Sequence, residues 1–389
     1  MGDVMSRLRV LIVGGGVGGL ALAGTLRRRG ADVVVLEKAA ELRVRGLGLS
    51  FWPNVTAVLR SMGLLGAIEE VSRPMNQVRI STTLGRTLTA IELDGYAVRF
   101  GAPSYSITRP ELLQVLADWA GDTVRFGAEV VSVSPDGTVT LSDGEKLSAD
   151  VVVGADGVGS RVREMIEPAG YVAPGTPEKM RGWQGLAPID AGAGADFEIM
   201  FGAFGGAGLL RLAGGRTYWF FQGIPERMSN DRPPSTDGWP EPVRRAVAAT
   251  PTDAVWKDNL RDRAPMKGWG KGRITLLGDA AHPILPTLGQ GACLALEDAH
   301  VLSELLMDSG DPVAALRRYE QERYPRIRQM YLNSRRAAKL QRLRPAVRDR
   351  LLAAVPDPLY NAVFTAPARP IPNLRPGRNT PVAREASGV

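Results

Sequence analysis

Cysteine occurs once in this chain of 389 residues, at Cys293, and histidine only twice, at His282 and His300. A single thiol excludes a disulfide scaffold and a cysteine-ligated zinc or iron–sulfur site. Two imidazoles exclude a multi-histidine metal centre, so no metal is expected. Long apolar runs are missing as well. The stretch 10–26 is uncharged and imitates a secretory core, but it holds six glycines and no cleavage context. The start Met1-Gly2-Asp3-Val4-Met5-Ser6 fits a myristoylation pattern only formally. No stable membrane anchor is expected, and the chain reads as cytoplasmic.

What is present is ordinary for a folded protein: 44% hydrophobic and 23% charged residues, at a length that favours two cooperating units. The net charge of +7 is local. Residues 317–350 hold eleven arginines and Lys339 against Glu320, Glu322 and Asp349, a larger surplus than the whole chain carries. We read this block as a long helix with a solvated basic face. It has neither an aromatic platform nor a nucleic-acid fold signature, so no nucleic-acid partner is expected.

The first forty residues read as strand, glycine turn, helix, strand. Apolar Leu8–Val13 leads into Gly14-Gly15-Gly16-Val17-Gly18-Gly19, a helix ending at Gly30, and Asp32–Glu37. Short helices over Pro53–Met62 and Leu64–Val71 flank Gly63, and a hairpin turns at Gly85 between Met75 and Leu93. Thr108 and Glu111 form a capping box around Pro110, opening a helix to Trp119. Strands cluster over Thr123–Val153. Between Trp183 and Ile224, aromatic-rich segments alternate with glycine turns, which predicts an antiparallel sheet. A helix ends near Thr250, and Arg273–Leu277 is again a buried strand. Gly291–Met307 and Pro312–Leu343 are long helices, the second kinked near Pro325. Prolines recur from Pro356 onward and predict a wrapping or frayed tail.

Two constellations carry chemistry. In Gly14-x-Gly16-x-x-Gly19 the first glycine makes the turn, the second admits a pyrophosphate to the backbone, and the third lets helix and strand approach. The N–H groups of Gly16, Val17, Gly18 and Gly19 then face a phosphate, and Glu37 ends the next strand where it can accept from ribose hydroxyls. This predicts an ADP-containing dinucleotide without separating NAD from FAD. The second is Gly278-Asp279-Ala280-Ala281-His282-Pro283, continuing to Pro286 and Gly289-Gln290-Gly291. A buried strand delivers Asp279 at its carboxyl end, and the glycine loop opens a helix whose N-terminus is a second anion site. Two such starts suit an extended cofactor held at both ends.

The second constellation, with Glu297-Asp298-Ala299, resembles a flavin motif of the single-component FAD monooxygenases, the p-hydroxybenzoate-hydroxylase-like aromatic hydroxylase family. Asp150–Gly154 with Ala155-Asp156-Gly157 and Ser160-Arg161-Val162-Arg163 resembles that family's middle motif, and the three motifs occur in family order. The resemblance implies an α/β fold: a Rossmann-type FAD-binding domain (1–74, 101–176 and 267–310) with an inserted, mainly antiparallel β-sheet substrate domain (75–100 and 177–266). C-terminal helices and a proline-rich tail (311–389) complete it. Arg43 with Gly46-Leu47-Gly48-Leu49 resembles the segment bordering the flavin, and Arg109 an arginine of the phosphate and ribityl region. By the same resemblance Asp279 takes the ribityl chain, Asp156 and Gly157 touch both FAD and the nicotinamide donor, and the Gly289–Ala292 backbone, through Gln290 and Gly291, approaches the isoalloxazine. Lys38, Val131 and Pro286 complete the set.

The activity so implied uses NADH or NADPH and O2 to hydroxylate or epoxidise an aromatic or polycyclic small molecule through a flavin C4a-hydroperoxide. Alternatives are a flavin oxidase or dehydrogenase on the same fold, or a flavin-binding protein without turnover. No catalytic side chain is assigned. His282, His300 and Cys293 are read as packing. Trp183, Phe201, Phe204, Tyr218 and Phe220 either wall the substrate cavity or fill the sheet core, and Arg211 is a candidate cation there; Pro286 borders both ligands. Gly206 and Ala207 stand where urate-hydroxylase-like members place an arginine, which disfavours urate. Phe220 and Gln222 before Ile224-Pro225 depart from the flavin-halogenase pattern.

Overall fold

The computed structural model describes residues 7–42, 48–83, 85–167, 179–355, 367–372 and 374. Arg43, Gly46, Leu47 and most of the proline-rich tail lie outside them. The chain begins with β1 (Arg9–Val13), α1 (Val17–Arg28) and β2 (Asp32–Glu37), the expected βαβ unit. The inner residues of β1 are fully or nearly buried, as a strand covered on both faces requires. Next come β3 (Gly48–Phe51), α2 (Pro53–Met62), α3 (Leu65–Val71) and β4 (Arg73–Met75). The hairpin β5 (Gln77–Thr82) and β6 (Thr87–Glu92) is followed by α4 (Asp94–Phe100), which the sequence reading missed.

After β7 (Ser104–Thr108), α5 (Arg109–Ala120) starts at the expected reciprocal capping box of Thr108 and Glu111. Short strands follow: β8 (Val124–Phe126), β9 (Val130–Val133), β10 (Thr138–Leu141), β11 (Lys146–Ser148) and β12 (Val151–Gly154), then α6 (Arg161–Ile166). The insert contributes β13 (Lys179–Ala187), β14 (Phe197–Phe201), β15 (Gly205–Leu212), β16 (Arg216–Gly223), α7 (Glu241–Ala249) and β17 (Trp256–Arg261). The chain returns with β18 (Ile274–Leu276) and closes with α8 (Gly291–Asp308), α9 (Pro312–Arg342) and α10 (Pro345–Ala354). Pro325 lies inside α9, and α10 falls between the expected end of that helix at Leu343 and the proline-rich tail, where the sequence reading placed no separate element.

A five-stranded parallel sheet has the order β18-β12-β1-β2-β8. Its register pairs Val152 with Leu11 on one side and with Ile274 on the other, so residues far apart in sequence become neighbours. A seven-stranded sheet, β17-β13-β16-β15-β14-β5-β6, holds the insert together with the early hairpin. It is antiparallel except where β14 runs beside β5. The two layers are tied by the Arg216–Glu111 ion pair at 2.7 Å, by Ser106 Oγ donating to the Arg211 carbonyl at 2.6 Å, and by the Arg335–Asp262 pair.

The basic block meets the expectation of a solvated face in part, with Arg318, Arg328, Arg336, Lys339, Arg342, Arg344 and Arg350 exposed, and departs from it at the other five. Arg323 and Arg348 are buried, while Arg317, Arg326 and Arg335 are half-buried and engaged with acids or carbonyls. An amphipathic count misses this, because arginine reaches its partner through a long apolar stem.

His300 on α8 is buried, and its imidazole is pushed down to about 4 by burial first and by Arg29 and Arg323 second. Such a group takes up its proton more readily in the unfolded chain. Its contribution is therefore intact above about pH 6.5 and is lost as pH falls towards the folded value. Moving from about pH 7 to about pH 5 should cost the wild type about 2 kcal/mol more than His300→Gln, read by denaturant titration at each pH; parallel losses would contradict the assignment.

Candidate functional site

The parallel strands end at one edge, and the candidate groups gather there. At the β1–α1 turn Gly14 has φ 112°, and a Cβ on it would stand 2.5 Å from the Ala155 carbonyl oxygen. A Cβ on Gly19 would stand 2.1 Å from the Gly14 carbonyl oxygen, so turn and helix pack backbone to backbone. Gly16 is different: a Cβ there meets nothing within 4 Å. The helix α1 begins beside it with no side-chain cap and no acid in its first turn. Its first N–H groups, with the positive helix end, are left to an anion. Glu37 accepts from the N–H of Gly15 and of Ala39, each at 2.8 Å, and keeps lone pairs for further donors. Lys38 beside it is exposed.

The start of α8 repeats this pattern. Gln290 offers no side-chain cap, the first turn has no acid, and a Cβ on Gly291 meets nothing within 4 Å. Gly289 has φ 62°, a conformation that favours glycine; it and Pro286 are exposed, and Ala292 is half-buried. A Cβ on Gly18 would strike Leu277 and Ala295, so α1 and α8 lie side by side with both starts on the same edge.

Asp279 stands between them. Its side chain is exposed, yet enclosure by surrounding protein raises its carboxyl above the usual range. Exposure together with enclosure describes a cleft wall rather than a convex surface. The carboxylate has no hydrogen-bond partner among the described residues, and His282, Arg109 and Arg163 are the positive influences on it. Arg109, at the start of α5, is exposed, makes no hydrogen bond or ion pair among the described residues, and faces Asp258 of β17 as well.

Beneath this edge lies a buried ionic network. Asp298 accepts from the Gly278 N–H at 3.0 Å, from His282 Nε2 at 2.6 Å and from Arg323 Nε at 2.6 Å. Its carboxyl is held down at about 2 against its own burial by His282 and Arg323, so it is ionised, and His282 must carry the Nε2 hydrogen. Glu297 pairs with Arg323 at 2.8 Å and with Arg326 through two contacts of 2.6 Å. Asn54 Nδ2 spans Glu297 and Gln290, at 2.7 and 3.0 Å. One network therefore fixes both the Gly278–Asp279 turn and the Gln290 turn.

Other expected residues do less, or something else. The Asp156 carboxylate accepts from Ser160 Oγ and from the N–H groups of Arg161 and Val162, capping its own helix α6. Gly157 next to it has φ 82° and open surroundings. Arg163, quoted in that motif without a role, is buried and donates to the Ala280 carbonyl at 2.8 Å, pinning the turn that carries Asp279. Val131 is exposed on β9. The Cys293 thiol is pushed up to about 12 by burial and by Glu297, which removes the reactivity that a helix start would otherwise lend.

On the large sheet, side chains alternate between two faces. Phe197, Phe201, Tyr218 and Phe220 share one face and remain half-buried; Phe197 and Tyr218 pack against the dinucleotide layer, while Phe201 packs beside Leu340 of α9 and Leu352 of α10. Trp183 and Arg211 are corrected: their register turns them to the opposite face. There Trp183 joins a core of Trp219, Phe221 and Trp239, which Phe204 also packs against, and Arg211 pairs with Asp190 at 2.7 Å. Alternation in strands fixes which residues share a face, not which face is inside. Gln184 and Asp258, on the inner face, had no motif to announce them; neither did Asn54 or Trp52, whose buried Nε1 lacks a partner beside Gly289.

The residues therefore fit a dinucleotide bound along the edge, with two uncapped helix starts, an unpartnered carboxylate and an unpartnered guanidinium. A family model described as FAD binding domain matches residues 7–334. The chain is 32% identical over 351 residues to the aurachin C monooxygenase/isomerase of Stigmatella aurantiaca, covering 86% of this chain and 89% of that protein. It is 30% identical over 351 residues to an FAD-dependent urate hydroxylase of Klebsiella pneumoniae, covering 85% and 89%. The Klebsiella pneumoniae HpxO structure with FAD and uric acid superposes with a TM-score of 0.81 at 28% identity, over 93% of this chain and 97% of that one. The chain belongs to the FAD binding domain family, and it is an FAD-dependent oxidoreductase of the aromatic-monooxygenase type. Among the described residues no helix is long and apolar enough to cross a membrane.

Replacing Arg323 with Leu leaves Glu297 and Asp298 buried with reduced compensation. Loss of one partner of a buried pair costs about 3–5 kcal/mol. Urea denaturation of the FAD-free protein should show a loss of that size; a change under about 1 kcal/mol would mean that the network does not support the edge.

Proposed function

We propose that the protein is an NAD(P)H- and O2-dependent monooxygenase that hydroxylates or epoxidises an aromatic or polycyclic small molecule. The observation that carries this reading is the meeting, at one edge, of two uncapped helix starts with Asp279 and Arg109, opposite a half-buried aromatic sheet face. The names of the relatives support it. They include a 3-amino-4-hydroxybenzoate 2-monooxygenase of Streptomyces platensis and a zeaxanthin epoxidase of Oryza sativa.

FAD, when bound, supplies reduction by NAD(P)H and activation of O2. The chain's own residues bind and orient. The backbone from Gly14 to Gly19, with Val17 and Gly18, takes the pyrophosphate, and Glu37 the ribose, with Lys38 at its border. Asp279 accepts from ribityl hydroxyls, and Arg109 neutralises phosphate. The α8 start, with Gly289, Gln290, Gly291 and Ala292, would hold the isoalloxazine end of FAD and lend positive potential to negative charge on it, a stabilisation that needs no acid side chain. Pro286 borders ring and substrate. Arg43, Val131 and Gly157 keep the roles that the resemblance gives them, and Asp156 acts by holding its turn. The nicotinamide donor docks transiently across 156–163. The inner sheet face excludes water and positions the substrate.

Purified protein should be yellow and should oxidise NADH or NADPH faster with a suitable aromatic compound, with ¹⁸O from ¹⁸O2 in the product. Peroxide release without labelled product would favour an oxidase instead. Gly16→Ala should leave the FAD-free fold within about 0.5 kcal/mol, since its Cβ meets nothing, yet weaken FAD at least about tenfold by blocking backbone approach. Asp279→Ala should also lose FAD on gel filtration; a fully yellow variant would contradict the ribityl role.

A further inference from the structure

The inner face of the large sheet carries a directed row of hydrogen bonds across three adjacent strands. Asp258 on β17 accepts from Gln184 Nε2 on β13, and Gln184 Oε1 accepts from the Tyr218 hydroxyl on β16 at 2.8 Å. A carboxylate has no proton to give, so it fixes the amide with its oxygen towards Tyr218. Tyr218 must then spend its one hydrogen on Gln184. Only its oxygen lone pairs remain, and they can only accept. The Tyr218 ring is fixed as well, since it lies so close to Gly48 that a Cβ there would stand 2.3 Å from it.

The same row ends in an aromatic cluster, with the Phe220 ring tilted 36° to Tyr218 at 5.8 Å and edge-on to Phe197 at 6.4 Å between centroids. Phe220 lies across Gly208, where a Cβ would come within 2.2 Å of the ring. Among the described residues the charges near this face are accounted for. Arg216 is held by Glu111 at 2.7 Å. Arg348, near Phe201 at the far end, is sealed from solvent and holds Asp349 and the Gly202 carbonyl. Arg109 faces Asp279 and belongs to the cofactor under the reading above. What the face presents to a ligand is aromatic surface, one acceptor and one half-buried acid.

We propose that the substrate is an uncharged aromatic bearing a hydroxyl or N–H, stacked on Phe220 with that donor on the Tyr218 oxygen, and that Gln184 and Asp258 are positioning residues which impose this polarity and exclude carboxylated aromatics. This rests on the monooxygenase reading and deepens it. An acceptor at a ring hydroxyl also pushes electron density into the ring, which suits attack by an electrophilic oxygen.

Three probes of one frame test it on the FAD-loaded protein: 2-naphthol, 2-methoxynaphthalene and 6-hydroxy-2-naphthoate, with Kd read from perturbation of the flavin absorbance. The naphthol should bind at least about tenfold tighter than its ether, the order of one well-placed hydrogen bond, and tighter than the acid by a similar factor. In Asp258→Asn the amide can turn round and Tyr218 can donate, so the naphthol-to-ether ratio should fall towards one and the acid should gain on both. Tyr218→Phe should abolish the ratio while stacking persists. A purely structural role for Asp258 would weaken all three probes alike. The proposal is overturned by equal binding of naphthol and ether, by preference for the acid, by ratios unchanged in both variants, or by no binding of any probe. Failure to hold FAD at all would instead sink the monooxygenase reading.

Discussion

Glu297 and Asp298, adjacent on one buried turn of α8, support the edge on which everything else depends. Two acids in a dry interior are tolerable only because Arg323 lies between them, with Arg326 and His282 completing the set. Hydrophobic residues of the same volume would fill the space as well. They could not hold the Gly278 N–H and, through Asn54, the Gln290 side chain at the same time. The network's use is therefore geometric: it joins the turn carrying Asp279 to the turn opening α8. Because α9 supplies both arginines, that helix is part of the site by supporting it from beneath.

The large sheet works by the opposite logic. Its outer face buries Trp183, Trp219 and Phe221 beneath α7, and that packing keeps the strands in register. Its inner face leaves aromatic side chains half-buried against the other layer. A sheet with one saturated face can afford an incomplete second one. Register then converts a core requirement into a functional one, since each residue committed to the core sends its neighbours inward.

Much of this was legible in the sequence. Gly14 to Gly19 with Glu37 announced the βαβ unit, Thr108 and Glu111 announced α5, and the return of an apolar strand before Asp279 announced the interrupted α/β layer. These signals are local, and local chemistry sets them. Trp183 and Arg211 were misplaced because the two-residue period of a strand says nothing about which side is inside. Arg317, Arg323, Arg326 and Arg335 of α9 were misjudged because a charge is counted as solvated unless its partner is known. Arg323 finds Asp298, twenty-five positions away, only after α8 and α9 have packed. Asp258 and Gln184 were invisible for the same reason, since their relation to Tyr218 exists only across paired strands.

Where local rules are broken the site is found. Helices normally cap their first N–H groups, carboxylates in enclosed positions normally find donors, and guanidinium groups near acids normally pair with one. α1 and α8 are uncapped, as several other helices are, but at their starts a Cβ on Gly16 or Gly291 would meet nothing within 4 Å; among the described residues Asp279 has no hydrogen-bond partner, and Arg109 acts at a distance on both Asp279 and Asp258. Each departure alone is a small loss. Their gathering on one edge means that a single dinucleotide can satisfy them together, contributing free energy that the polypeptide withholds from itself. Half of those groups belong to residues before the insert and half to residues after it, and the halves meet through the pairing of β12 with β18, the packing of α1 on α8 and the bonds from Asn54 to Gln290 and Glu297. A ligand gripping both must therefore favour the closed parallel sheet over any state in which the returning strand is undocked, by mass action alone. Cofactor binding and completion of the fold are, on this geometry, one linked equilibrium.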